Sequence, residues 1–167
     1  MAGTAMDPSQ EKIDVTTLPI KDFMIKEVIT IDNEATVRKA AEIMNESEIG
    51  CLITAGQGGA VGILTERDLL KRVIAEGRDA NKTKVKEVMS SPLIVAEPDM
   101  DLGEAVELMF LKKIKKLPVV HERRLMGLIT LTDIARAAPE MLRIIKQLAT
   151  TQGMPKNIQK VIDRYIV

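Results

Sequence analysis

The chain repeats itself. A gapless shift of 65 residues places Met24 on Met89, Ile29 on Ile94, Ala40 on Ala105, Glu42 on Glu107 and Met44 on Met109. The same shift places Ile49 on Ile114, Leu52 on Leu117, Gly62 on Gly127, Thr65 on Thr130 and Asp68 on Asp133. Ten identities in one register define two copies of one supersecondary unit. A unit of about 55 residues buries too little surface to stand comfortably alone, so the copies are expected to pack together into one pseudo-symmetric body. Any cleft between them then comes as a related pair.

Each copy reads the same way. A short β-rich run opens it, VITI in the first and LIVA in the second. A helix follows, with Val37, Ala40, Ala41 and Met44 on one stripe and Leu102, Ala105, Val106 and Met109 repeating the spacing. Two strands come next, CLIT and AVGIL, then LPVV and LMGLIT, joined by turns containing AGQGG and HERR. A second helix closes the unit, carrying Leu69, Leu70, Val73 and Ile74 in the first copy and ending near Gly77. The fold class is thus α/β (α+β), two βαββα-type repeats packed through their sheets, with added C-terminal helices. The divisions are a tail at 1–17, a first repeat at 18–77, a linker at 78–84, a second repeat at 85–138 and a helical extension at 139–167. In that extension Pro139 opens a helix with Leu142, Ile145 and Leu148 on one side, and Pro155 opens another with Ile158, Val161, Ile162 and Tyr165.

Charge excludes some partners. Lys plus Arg and Asp plus Glu are 24 each, so no global basic field draws the chain to nucleic acid or to an anionic membrane. Phe23, Phe110 and Tyr165 are its only aromatic residues, too few to build base-stacking platforms. No run approaches the roughly 20 apolar residues of a membrane helix, and no secretory leader pattern opens the chain, which makes the cytoplasm the expected address. Cys51, the single cysteine, sits in the apolar run EIGCLIT and reads as a buried, inert thiol. His121 has no Cys or His partner in the sequence pattern, so a metal site is not expected. AGQGG lacks the Gly-Lys-Ser/Thr ending of a phosphate loop and reads as a turn.

The chemistry concentrates where the last strand of each copy runs into a helix. There the sequence reads Gly62-Ile-Leu-Thr65-Glu-Arg67-Asp68 and Gly127-Leu-Ile-Thr130-Leu-Thr132-Asp133. A helix start offers N–H groups and a hydroxyl to an anion, and an Asp one turn on can accept from paired ribose hydroxyls. Thr-x-x-Asp is equally a capping box, in which both side chains serve the helix itself. KKIKK supplies Lys112, Lys113, Lys115 and Lys116, either as a solvated helix end or as cations turned toward a phosphate. The first copy has Gly50 and Cys51 in place of Lys115 and Lys116, so the two clefts are expected to differ.

These residues resemble a tandem of CBS domains, named after cystathionine β-synthase, whose pair forms the Bateman module. The resemblance covers about residues 18 to 138 and rests on VGILTERD and MGLITLTD, on LPVV after IKK, and on the DFM and EVM starts at Asp22 and Glu87. It implies clefts shared between copies, a homodimer of modules, and AMP, ADP, ATP or S-adenosylmethionine as ligand. By that resemblance Asp68 and Asp133 hold ribose, while Thr65, Arg67, Thr130 and Thr132 lie near phosphate or ribose. The Asp68 cleft would be walled by Met89, Ile94, Ile114, Lys115 and Lys116, and the Asp133 cleft by Met24, Ile29, Ile49, Gly50 and Cys51. The first copy departs from the pattern, with Ile53 where Pro118 stands and no basic pair before it, so phosphate is expected in the Asp68 cleft.

The expected function is a regulatory sensor of AMP, ADP or ATP, with no required cofactor, that acts on a separate protein partner. A ligand-free interaction scaffold and an S-adenosylmethionine binder are the alternatives. An enzyme using the helix-start Asp as a base ranks last, because no nucleophile, base and orienting group form a recognisable motif.

Overall fold

The computed structural model describes residues 14–139 and 141–151. The first copy holds β1 (Thr30–Asp32), α1 (Val37–Glu46), β2 (Cys51–Gly56), β3 (Gly59–Thr65) and α2 (Glu66–Leu69), which continues as a π-helical turn over Leu70–Ile74. The second holds α3 (Val85–Val88), α4 (Leu102–Lys112), β4 (Lys116–His121), β5 (Arg124–Thr130) and α5 (Leu131–Ala137), followed by α6 (Met141–Thr151). In the first sheet β1 pairs parallel with β2, Thr30 opposite Ile53, and β2 pairs antiparallel with β3. The second sheet has two antiparallel strands, β4 and β5, with Lys116 opposite Thr130. The α+β architecture of two related units is therefore as the repeat implies.

The second sheet is one strand short of the first, and a proline explains it. Ile53 N–H donates to Ile29 O at 3.3 Å in the first copy, beside β1. At the position 65 residues on, Pro118 has no N–H to give. The run LIVA keeps only a bridge at Ala96, whose N–H donates to Pro118 O and whose carbonyl accepts from Val120 N–H, both at 2.9 Å.

Packing crosses the repeat. Ile20, fully buried, belongs to the core of the second copy with Leu102, Ala105, Val106, Met109, Leu117 and Ile129. Val85 and Val88 belong instead to the core of the first copy with Val37, Ala40, Leu52 and Leu64. The segment that leads into each copy is thus exchanged for the other's, bond for bond. Ile20 N–H donates to Met100 O and Lys21 N–H to Pro98 O, while Val85 N–H donates to Ala35 O and Lys86 N–H to Asn33 O. Lys21 also pairs with Asp99 at 2.5 Å and Lys86 with Glu34 at 2.6 Å. Lys21 and Lys86 are a further identity at the 65-residue offset. Cys51 and Ile53 meet Leu128 in a third cluster, with Ile63 and Leu125 against it, and this joins the two sheets.

Several sequence expectations are corrected here. Ala41 is exposed and Ile43 packs in its place against the first core. Leu70 and Ile74, carried on the closing helix, are 61% and 69% exposed where a π-turn, with Ala75 N–H donating to Leu70 O, departs from the 3.6-residue register. Leu142 is 50% exposed, whereas Ile145 and Leu148 pack on the second core beneath buried Met141. Residues 15–17, read as part of a tail, form a 3-10 turn capped by Asp14, which fits against α4 where Gly103 has no side chain. The linker is fastened as well: Thr83 is buried, and the Thr83 and Ala80 carbonyls accept from the otherwise orphaned Val37 and Arg38 N–H groups that start α1. Residues 1–13 of the tail and the helix read after Pro155 lie outside the described residues. Among the described residues, no helix is long and apolar enough to cross a membrane.

Candidate functional site

Both helix starts close as capping boxes. Thr65 N–H donates to Asp68 Oδ2 at 2.9 Å, Thr65 Oγ1 to the same oxygen at 2.7 Å, and Asp68 N–H to Thr65 Oγ1 at 3.3 Å. Thr130 and Asp133 repeat the set at 3.1, 2.6 and 3.2 Å. Glu66 N–H donates to Gly50 O, and Leu131 N–H to Lys115 O. The first-turn donors that the sequence offered to an anion are therefore largely satisfied within the protein, and an anion site here must rest on side-chain cations.

The other carboxylate oxygen distinguishes the copies. Asp68, 8% exposed, turns Oδ1 to Arg72 Nη1 and to Ser90 Oγ, each 3.5 Å away. Arg72 donates from Nη1 to the Val88 and Met89 carbonyls at 2.6 and 2.8 Å, tying α2 to the exchanged segment. At the equivalent positions of the second copy stand Ala137 and Ile25, and Asp133 Oδ1 has no protein partner among the described residues.

A cavity of about 530 Å³ lies between the copies beside Asp68. The first copy contributes Thr65, Arg67 and Asp68, and the second contributes Ile114, Lys115 and Lys116, so six of the expected residues come together. Gly50, expected in the wall of the other cleft, lines this one. Met89 and Ile94 do not line it. Met89 Sδ is drawn to Thr54 Oγ1 at 3.0 Å over the bare face of Gly62, and Ile94 packs on the second core. Sequence reasoning missed Glu66, Ser90 and Ile63 in the lining and left Lys113 out of the site. Glu66 stands inside the motif VGILTERD and Ser90 directly after EVM, so position marked both, but neither residue type stood out.

The residues assigned to the Asp133 cleft sit in several settings. Met24 Sδ fills the space over Gly127, as Met89 does over Gly62, and packs on the second core. Ile49 packs against the first core and Ile29 is 39% exposed. Cys51 is buried in the inter-sheet cluster with Ile53 and Leu128. Thr132 is exposed on α5 and Thr130 is engaged in its cap.

Electrostatics sharpens two isolated groups. Burial pushes the Cys51 thiol up from its ordinary value, the nearby Lys116 ammonium pulls it down, and Glu66 pushes it up again. Exposed His121 is raised above the usual imidazole value by its 3.1 Å contact with Glu97. Among the described residues no three His, Cys, Asp or Glu cluster so as to hold a metal ion.

Comparison with known proteins agrees with the repeat. The family model for the CBS domain matches twice, over residues 20–75 and 85–140. The CBS domain-containing protein YhcV of Bacillus subtilis is 38% identical over 116 residues, covering 70% of this chain and 82% of that protein. Among solved structures, an uncharacterized conserved protein from Pyrococcus horikoshii superposes with a TM-score of 0.69 at 30% identity, covering 74% of this chain and 93% of that one. A hexameric CBS-CP12 protein from bloom-forming cyanobacteria superposes with a TM-score of 0.66 at 27% identity, covering 88% and 91%. The chain belongs to the CBS domain family, as a tandem regulatory module of two copies.

Proposed function

We propose that the cavity beside Asp68 binds an adenine nucleotide, AMP, ADP or ATP, through its phosphate, and that occupancy alters how the module meets a separate protein partner. The observation that carries this reading is the convergence of Arg67, Lys113, Lys115 and Lys116 on one inter-copy cavity. Its volume of about 530 Å³ lies in the range of small-ligand sites. Hydrogen bonds from such cations to phosphate contribute about 1.5–3 kcal/mol each, so three supply about 4.5–9 kcal/mol toward the roughly 8.2 kcal/mol of a micromolar ligand. The free energy of binding differentially to two arrangements of the copies is what shifts the population between them. Four cations suit a phosphate better than the sulfonium of S-adenosylmethionine. The module acts by binding rather than turnover: in each helix-start carboxylate one oxygen, Oδ2, is engaged in the cap. It works as a homodimer of modules in the cytoplasm, where adenine nucleotides are held.

Titration calorimetry with AMP, ADP, ATP and S-adenosylmethionine tests the reading. Replacing both lysines, Lys115→Gln with Lys116→Gln, is expected to weaken nucleotide binding at least about tenfold, a loss of about 1.4 kcal/mol. These changes leave the caps intact, which Asp68→Ala does not. Heat with S-adenosylmethionine alone, indifferent to the lysines, transfers the site to that ligand. Absence of heat with every adenosyl compound favours the scaffold reading, for which the outward-turned Leu70, Ile74 and Leu111 are the supporting observation.

A further inference from the structure

We propose that Glu66 is a specificity-determining residue of the Asp68 cavity, disfavouring nucleoside triphosphates relative to monophosphates by holding a carboxylate beside the Lys116 ammonium over Gly50. The inference rests on the nucleotide reading and deepens it. A Cβ built on Gly50 would stand 2.7 Å from Glu66 Oε2 and 3.0 Å from Lys116 Nζ. Glycine therefore leaves open the space that the two charged ends share. Glu66 comes from the start of α2 in the first copy and Lys116 from β4 in the second, so the two charges approach each other across the cleft. A ligand phosphate that reaches Lys116 has the Glu66 carboxylate on the other side of Gly50, unpaired with that ammonium.

The repulsion scales with ligand charge. A monophosphate carries about −1.5 to −2 near neutral pH, whereas a triphosphate carries roughly twice that. Arg67, Lys113 and Lys115 supply the remaining positive charge of the lining, so one carboxylate tunes anion binding without abolishing it. The arrangement is also confined to this cleft. At the repeat-related positions Lys115 replaces Gly50, Leu131 replaces Glu66 and Cys51 replaces Lys116, a set with no carboxylate.

The test compares the full chain with its Glu66→Gln variant by titration calorimetry with AMP and with ATP at low salt. The variant is expected to bind AMP about threefold and ATP about tenfold more tightly, since the removed charge acts on more ligand charge in the second case. Equal gains for the two ligands, or none, overturn the filter and leave the nucleotide reading standing. If neither protein takes up either nucleotide, both readings fall.

Discussion

Asp68 and Asp133 begin helices in the same way, yet their surroundings diverge. Asp68 faces Arg72, Ser90 and a cavity bearing four cations, while the repeat-related places around Asp133 hold Ile25 and Ala137. The copies differ again on their outer faces. α6 lies on the second copy with Met141 fully buried, whereas Leu70 and Ile74 of the first copy are turned outward. What the copies share is the framework of caps, methionines over glycines and exchanged segments. What they do not share is charge at the cleft and cover at the helices, and those are the features on which a directional response can be built.

The largest test of that contrast is Met141→Ala, which empties a fully buried site and is expected to lower stability by about 2–4 kcal/mol in denaturant unfolding. Leu70→Ala on the uncovered copy should change it by less than about 0.5 kcal/mol in a monomer. A loss from Leu70→Ala close to that from Met141→Ala would mean that the first copy's face is covered in solution, and the contrast would need redrawing.

Next in size are the caps. Asp133→Ala is expected to cost about 1 kcal/mol, the worth of a helix cap. Asp68→Ala removes the same cap and also leaves Arg72 without its carboxylate, so about 2 kcal/mol is expected for it. Equal losses, measured by chemical unfolding at neutral pH, would show that Arg72 is held by the Val88 and Met89 carbonyls alone.

The smallest effect is expected from His121. Its contact with Glu97 raises the imidazole value, so the protonated form is favoured in the folded chain. The contribution is complete below the ordinary imidazole value of 6.5 and disappears as pH rises through the raised folded value. The first copy has Gly56 at the related position and no such response. A thermal midpoint that falls slightly as pH is raised from 6 to 8 in the parent chain, but not in His121→Asn, is the expected result.

Much of this was legible in the sequence. The 65-residue offset and the stripes through Val37 and Leu102 place the helices, the strands and most of both cores, because burial face follows from spacing. Spacing cannot say which copy buries a segment. Ile20 and Val85 therefore read correctly as apolar starts but silently as exchanged ones. The third strand of the second sheet was readable in principle, since Pro118 lacks the donor that Ile53 uses. At the site, Thr65, Arg67, Asp68, Ile114, Lys115 and Lys116 converge from residue type and repeat position. Gly50 has no side chain to mark it, only the open space beside Glu66 and Lys116. Residue type alone does not show that Met89 and Met24 fill the hollows over Gly62 and Gly127 with their flexible thioethers.

The traded entry segments also make the order of the chain differ from the order of its assembly. With residues 18–25 completing the far half and 85–90 the near one, the connection at 78–84 is not the seam of the molecule. A single proteolytic nick there would leave two fragments, each clasping a strip of the other. Such a nicked protein stays whole until it is denatured, and its halves reassemble by complementation when they are mixed.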